Sequence, residues 1–217
     1  MKRGLTTAVA AVAIMAGAAG CTSGGSDGSD GAARGGAQNI AAKRACADGT
    51  YTWLNVSRRP VVNAMAVTTQ KSGHKVSTRG VEPVARYTVS VRTEGAALSG
   101  KQVIRGLARH LKPTRGDAFT LVDQTGRTTT YDKHGSYGVQ TAKTSGRYVT
   151  ATAYDLFEAD FRYVCGDDTV SSGHVVSWDP TEAEIILECG EKLPEEAGDD
   201  SREAARLGCH EGDPARA

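Results

Sequence analysis

The sequence predicts a mainly β (α+β) fold: a single antiparallel-sheet domain with one amphipathic helix and a short C-terminal helix, pinned by disulfides. Three observations predict it. Apolar and polar residues alternate with a period of two in several segments between 85 and 189. Only one long segment shows a helical period, and a proline follows it. Four cysteines, Cys46, Cys165, Cys189 and Cys209, are spread through the body at spacings that suit no zinc site.

The chain opens with Lys2 and Arg3, then an apolar stretch over residues 5–16 broken only by Thr6 and Thr7, then Gly17, Ala18, Ala19 and Gly20. That three-part pattern reads residues 1–20 as a signal peptide, too short to anchor as a helix. The run Ala18-Ala19-Gly20-Cys21 resembles the bacterial lipobox, departing from it at Ala18, where that family more often has leucine. The resemblance implies that the Cys21 thiol is diacylated, that cleavage falls just before it, and that the new terminus is held on the extracytoplasmic face of the cell membrane. Ala16-Gly17-Ala18 offers the alternative of ordinary secretory cleavage. Cysteine parity favours the lipobox: an odd thiol among five needs a role in an exported protein, and acylating Cys21 leaves an even set of four. Residues 21–40, rich in Gly, Ser and Asp, read as a lipid-anchored flexible linker. Residues 41–210 follow as an extracytoplasmic β-rich domain, and 211–217 as a disordered tail. No later apolar run approaches the roughly 20 residues of a membrane span.

Within the body, Tyr51-Thr52-Trp53 reads as one strand, and residues 61–68 as another after a turn at 57–60. Ala85, Tyr87, Val89 and Val91 alternate with Arg86, Thr88, Ser90 and Arg92, a half-buried strand. Ser99 stands where a helix cap is expected, and Val103, Ile104, Leu107, Ala108 and Leu111 form one apolar face that Pro113 is expected to stop. Lys101, Arg105, Arg109 and Lys112 make the other face basic. Residues 119–121 and 128–131 flank 123–126, the pattern of a hairpin with Gly126 in its turn. Phe157, Ala159, Phe161, Tyr163 and Cys165 share a face; His174, Val176 and Trp178 share another; Asp179-Pro180 turns the chain toward 185–189. Residues 157–189 thus read as a three-stranded meander, and 201–207 as a short helix with Asp200 and Glu203 as a capping-box-like pair.

Seventeen arginines against nine lysines, with abundant Ala and Gly, give an actinobacterial cast. The body also resembles small uncharacterised actinobacterial lipoproteins. The shared features are Tyr51-Thr52-Trp53, the segment Ala159-Asp160-Phe161-Arg162-Tyr163 leading to Cys165, then Gly173-His174-Val175-Val176 before Trp178, and a late cysteine. That group has no assigned activity to carry over.

Four body cysteines outside the cytoplasm imply two disulfides, and three connectivities are open. Cys46–Cys165 with Cys189–Cys209 is favoured, because it joins the opening strand to the end of the 157–165 strand and pins the last helix to the last strand. No cofactor or metal is expected. The histidines are scattered; His174, on the face of Val176 and Trp178, is the least ordinary of them. G-x-S-x-G occurs only as Gly24-Gly25-Ser26-Asp27-Gly28 in the low-complexity linker and so marks no nucleophile elbow, G-x-G-x-x-G and P-loop patterns are absent, and Ser72-Gly73-His74-Lys75 lacks the companion motifs of penicillin-recognising enzymes. Asp155, Glu158 and Asp160 read as a solvated strand face rather than a glycosidase pair. Charge is divided: residues 1–166 carry 22 basic and 11 acidic side chains, whereas 167–217 carry 4 and 14. The near-zero net charge argues against general nucleic-acid binding, and the acidic tract over 191–200 reads as a loop. The expected function is a non-enzymatic binding or envelope-accessory module, with an envelope protein or small ligand as its unknown partner and Lys101, Arg105, Arg109 and Lys112 as the surface-binding residues. The alternative is a small envelope hydrolase, built around His174, Asp160 and Ser177, or a protease-inhibitor-like module.

Overall fold

Two very long strands carry the sheet. β1 (Thr50–Gln70) runs antiparallel to β6 (Gly146–Val164) over nearly its whole length, from the pair Thr50–Val164 to the pair Gln70–Gly146. The computed structural model describes residues 44–130 and 137–217; the segments 1–20 and 21–40 with Cys21, as well as Tyr131 and His134, lie outside the described residues. The chain divides into Met1–Asn39 and Ile40–Ala217. Among the described residues, three apolar cores and both disulfides close inside the second unit, so the body has what it needs to fold by itself.

The expected turn at 57–60 does not form. β1 passes straight through it and shifts register twice, between Leu54 and Ser57 and between Val62 and Ala64. Each shift places one extra residue in β1, which bends the strand without ending it. Asn55 takes up the first with φ 50°, a left-handed conformation that asparagine tolerates better than most residues. Pro60 is accommodated because β1 is paired on its outer side only at Ala64 and Met65, with β3 (Glu82–Pro83).

The expected meander is also rearranged. β7 (Val170–Trp178) pairs with residues 156–164 of β6, and β8 (Ala183–Glu188) pairs with residues 148–153 of the same strand, not with β7. The two lie end to end along one edge of β6. Pro180, which has no N–H for a ladder, falls in the break between them. Asp179 N–H donates to Asp155 O (3.0 Å), holding that break against β6. β4 (Ser90–Gly95) covers the outer edge of β7, and a small second sheet pairs β2 (Lys75–Ser77) with β5 (Val139–Thr141).

Residues 119–121 and 128–130 do not make the expected hairpin with each other. Phe119, Leu121 and Val122 are all buried, a run that packs onto the core instead of alternating. Residues 126–129 pair instead with 87–89: Val89 N–H donates to Arg127 O (2.8 Å), Gly126 N–H to Val89 O (2.9 Å) and Thr129 N–H to Tyr87 O (2.8 Å). Gly126 does supply the positive φ, 85°.

The helix α1 (Gly100–Arg115) lies on the face of β6 that carries Phe157, Ala159, Phe161 and Tyr163. Val103, Ile104 and Leu107 are fully buried there. Each contributes about 1.5–3 kcal/mol relative to exposure. Gly106 lets the helix approach closely, since a Cβ would stand 3.0 Å from the Tyr51 ring and 3.2 Å from that of Trp53. Ser99 occupies the cap position but its side chain makes no cap bond. Pro113 does not stop the helix; it sits in the last turn, and the helix ends at Gly116, φ 98°. The second helix, α2 (Asp199–Gly208), begins two residues earlier than expected and packs Ala204 and Ala205 against Val149, Ala151 and Ala153. The capping box is absent because Asp200 Oδ1 accepts from the adjacent Ser201 N–H (2.8 Å) while Glu203 binds Arg206.

The disulfides are Cys46–Cys165 and Cys189–Cys209, with Cα separations of 5.8 and 5.4 Å. Residues 211–217, expected as a disordered tail, instead turn back onto the second bridge. Residues Pro214–Arg216 form a 3₁₀ turn, Ala215 is buried, and its N–H donates to Cys189 O (3.2 Å).

Candidate functional site: a basic groove beside the first helix

The apolar face of α1 is committed to the sheet, so its basic face must point away from it. Lys101, Arg105, Arg109 and Lys112 fall at i, i+4, i+8 and i+11. At 3.6 residues per turn they occupy an arc of about 80° and a length of about 16 Å. They line one wall of a groove of about 760 Å³. The segment 119–123 forms the opposite wall, and Ala108, Phe119 and Leu121 give the groove an apolar lining.

Among the described residues one carboxylate faces the cations. Asp123 Oδ2 lies 2.8 Å from Arg105 Nε and 3.8 Å from Lys101 Nζ. Both pairs are open to solvent, with the Arg105 side chain 63 % exposed, so each is worth well under about 1 kcal/mol and yields easily to a competing anion. Among the described residues no carboxylate lies within salt-bridge distance of Arg109 or Lys112. Arg109 is near the aromatic layer under the helix: its charge opposes the rise in the Tyr51 pKa, which burial, with Tyr163 beside it, pushes up to about 12. At the far end of α1, Arg115 is held at 2.9 Å by Asp155, over the rings of Phe119 and Phe157, and serves packing rather than the groove.

The four basic residues anticipated from sequence are thus gathered in one concave feature. The sequence does not signal Asp123, because its neighbours predict a hairpin turn and nothing in its spacing from α1 marks a contact. Phe119 and Leu121 read from the sequence only as strand residues.

Of the three groups of the hydrolase alternative, the histidine and the carboxylate are brought together and the hydroxyl is not. His174 Nδ1 is 2.8 Å from Asp160 Oδ1, and Asn55 Nδ2 donates to Asp160 Oδ2 (2.7 Å). The Asn55 bond, and then the His174 bond, hold the Asp160 carboxyl below its ordinary range. This trio sits on the open face of the sheet, with Arg92 of β4 opposite His174. Ser177 is fully buried and donates to Val122 O (2.6 Å). The closest grouping of metal-type ligands among the described residues is Cys189, Cys209 and Asp213, and both sulfurs there are bonded to each other. The acidic tract over 191–200 spans the loop between β8 and α2 and ends in the first turn of α2, which Asp199 and Asp200 form. Among the described residues no helix is long and apolar enough to cross a membrane.

No protein-family model, curated protein or solved structure matches the chain.

Proposed function

We propose that the protein is a lipid-anchored extracytoplasmic binding module, whose body holds an anionic component of the cell envelope in the groove beside α1. The observation that carries the binding reading is the charge of that groove: among the described residues four cations line one wall against the single carboxylate of Asp123. The anchor reading is supported by the lipobox-like run ending at Cys21 and by the pairing of the other four cysteines, which leaves Cys21 as the odd thiol. Residues 22–40 then act as a tether of about 25 Å mean span, keeping the body near the anionic surface of the membrane. Each Lys or Arg held near such a surface contributes about 1 kcal/mol, within a Debye length.

The test is sedimentation of the body, residues 40–217, with isolated envelopes. Binding is expected at low salt and is expected to fall as ionic strength rises past the physiological value. Changing Lys101, Arg105, Arg109 and Lys112 together to Gln should leave the protein in the supernatant with its thermal midpoint intact. Failure of the unaltered body to pellet, or equal pelleting of the fourfold variant, contradicts the reading.

A further inference from the structure

We infer that the groove ligand is a linear polyanion bearing phosphate groups and lying lengthwise along α1, not the flat face of a bilayer. The inference rests on the reading of the groove as an anion site and adds the shape and chemistry of what fills it. Three observations favour a chain over a surface. The site is a trough with two walls, α1 on one side and residues 119–123 on the other. Lys101 and Arg105 reach across the trough toward Asp123, so their charges lie over its interior and not outward from its rim.

The third observation concerns apolar contact. A helix that lies in a membrane interface buries an apolar face there. Here that face, Val103, Ile104 and Leu107, is fully buried against the sheet. The large apolar residues that are exposed, such as Leu54, Val56 and Val84, belong to other segments. A bilayer would thus meet charge alone, whereas a narrow chain can enter the trough and touch Ala108 and Leu121 as well.

The spacing suits a repeating charge. Successive cations rise by about 6 Å, 6 Å and 4.5 Å along the helix axis. A chain with a charge every few ångströms meets all four in one pass. Arg105 and Arg109 supply planar forks that match phosphate oxygens in pairs, and Lys101 and Lys112 supply point charges at the ends. Asp123 acts as a competitor that the incoming phosphate must displace from Arg105.

The experiment measures binding of residues 40–217 to three probes: fluorescently labelled linear polyphosphate, inorganic phosphate, and vesicles of phosphatidylglycerol at the same total phosphate. Polyphosphate is expected to bind at least about 100-fold more tightly than inorganic phosphate, since its contacts are made in one event. Plotting log K against log salt should give a slope of about −2 to −3, the value for three or four neutralised phosphates on a single strand. Arg109→Gln should reduce that slope by about 0.7. Asp123→Asn should strengthen binding about two- to five-fold, because it frees Arg105 and Lys101. This variant removes no cation and leaves the core untouched, so it separates loss of the site from loss of fold. Vesicles that bind as tightly as polyphosphate, a polymer no better than inorganic phosphate, or Asp123→Asn without effect on polymer binding would each overturn the inference. If vesicles bind through the four basic residues while polyphosphate does not, the inference is overturned but the groove remains an anion site with a different occupant. If neither binds and envelopes do not pellet the body, the functional reading itself falls.

Discussion

Replacing Cys46 and Cys165 together by alanine should lower the stability of the body by about 5 kcal/mol, more than opening the other bridge. The bridge spans a sequence separation of 119 residues. In the chain-entropy description, opening a loop of that size releases about 5 kcal/mol of denatured-state restraint, against about 3 for the 20-residue loop of Cys189–Cys209. The native state loses contacts as well. Cys46 N–H donates to Cys165 Sγ, and the Tyr163 hydroxyl accepts from Gly49 N–H (2.7 Å) and donates to Cys46 O (2.9 Å). The bridge and that hydroxyl together tie residues 46–49 to the end of β6. In chemical denaturation of residues 40–217, the Cys46→Ala/Cys165→Ala variant should therefore have a lower midpoint than the Cys189→Ala/Cys209→Ala variant. The opposite order would show that the first bridge is not formed, or that residues 46–49 are held by other means.

Phe157→Ala should cost about 3–5 kcal/mol, the range for truncating a buried aromatic. Phe157 is 2 % exposed and lies edge-on to Phe119 with ring centroids 5.3 Å apart, under the Arg115 guanidinium. Its removal empties the point where α1, β6 and the 119–123 wall meet. At roughly 2–4 °C per kcal/mol for a body of this size, the thermal midpoint should fall by about 6–20 °C. Leu54→Ala is the control: Leu54 is 53 % exposed, and its loss should stay within about 0.5 kcal/mol. A Phe157→Ala variant that melts like Leu54→Ala would place the core elsewhere. The position also bears on the groove, because Phe119 is part of both the Phe157 contact and the groove lining.

The sequence was most informative where a single local period decided the structure. The spacing of Val103, Ile104, Leu107 and Leu111 identifies the buried side of α1, and geometry then puts Lys101, Arg105, Arg109 and Lys112 on the other side. Alternation at 157–165 likewise marks the face that α1 covers. The favoured disulfide pairing needed only the order of the strands and an even number of thiols.

Long-range pairing was not legible. Ser57, Arg58, Arg59 and Pro60 have turn chemistry, yet β1 continues through them because β6 provides a partner on the other side throughout. The same length of β6 lets β7 and β8 share one edge, an arrangement that local pattern cannot distinguish from a meander. Asp123 shows the limit for the site: its turn-like neighbours predict a hairpin, but burial of Phe119, Leu121 and Val122 draws the segment down as a wall opposite α1. The pairing of His174 with Asp160 follows from their register on adjacent strands, and the burial of Ser177 from its place on the opposite face.

The central claim is that Cys21 carries the lipid while the other four cysteines are paired, so that a disulfide-pinned body is displayed from the membrane. Mass spectrometry of the intact protein, extracted from membranes with detergent and without reductant, tests it most directly. The account predicts a chain that begins at Cys21, bears a thioether-linked diacylglyceryl group on that residue, and has no thiol open to alkylation. A chain that begins at another residue, or a Cys21 thiol that alkylates freely, would contradict it.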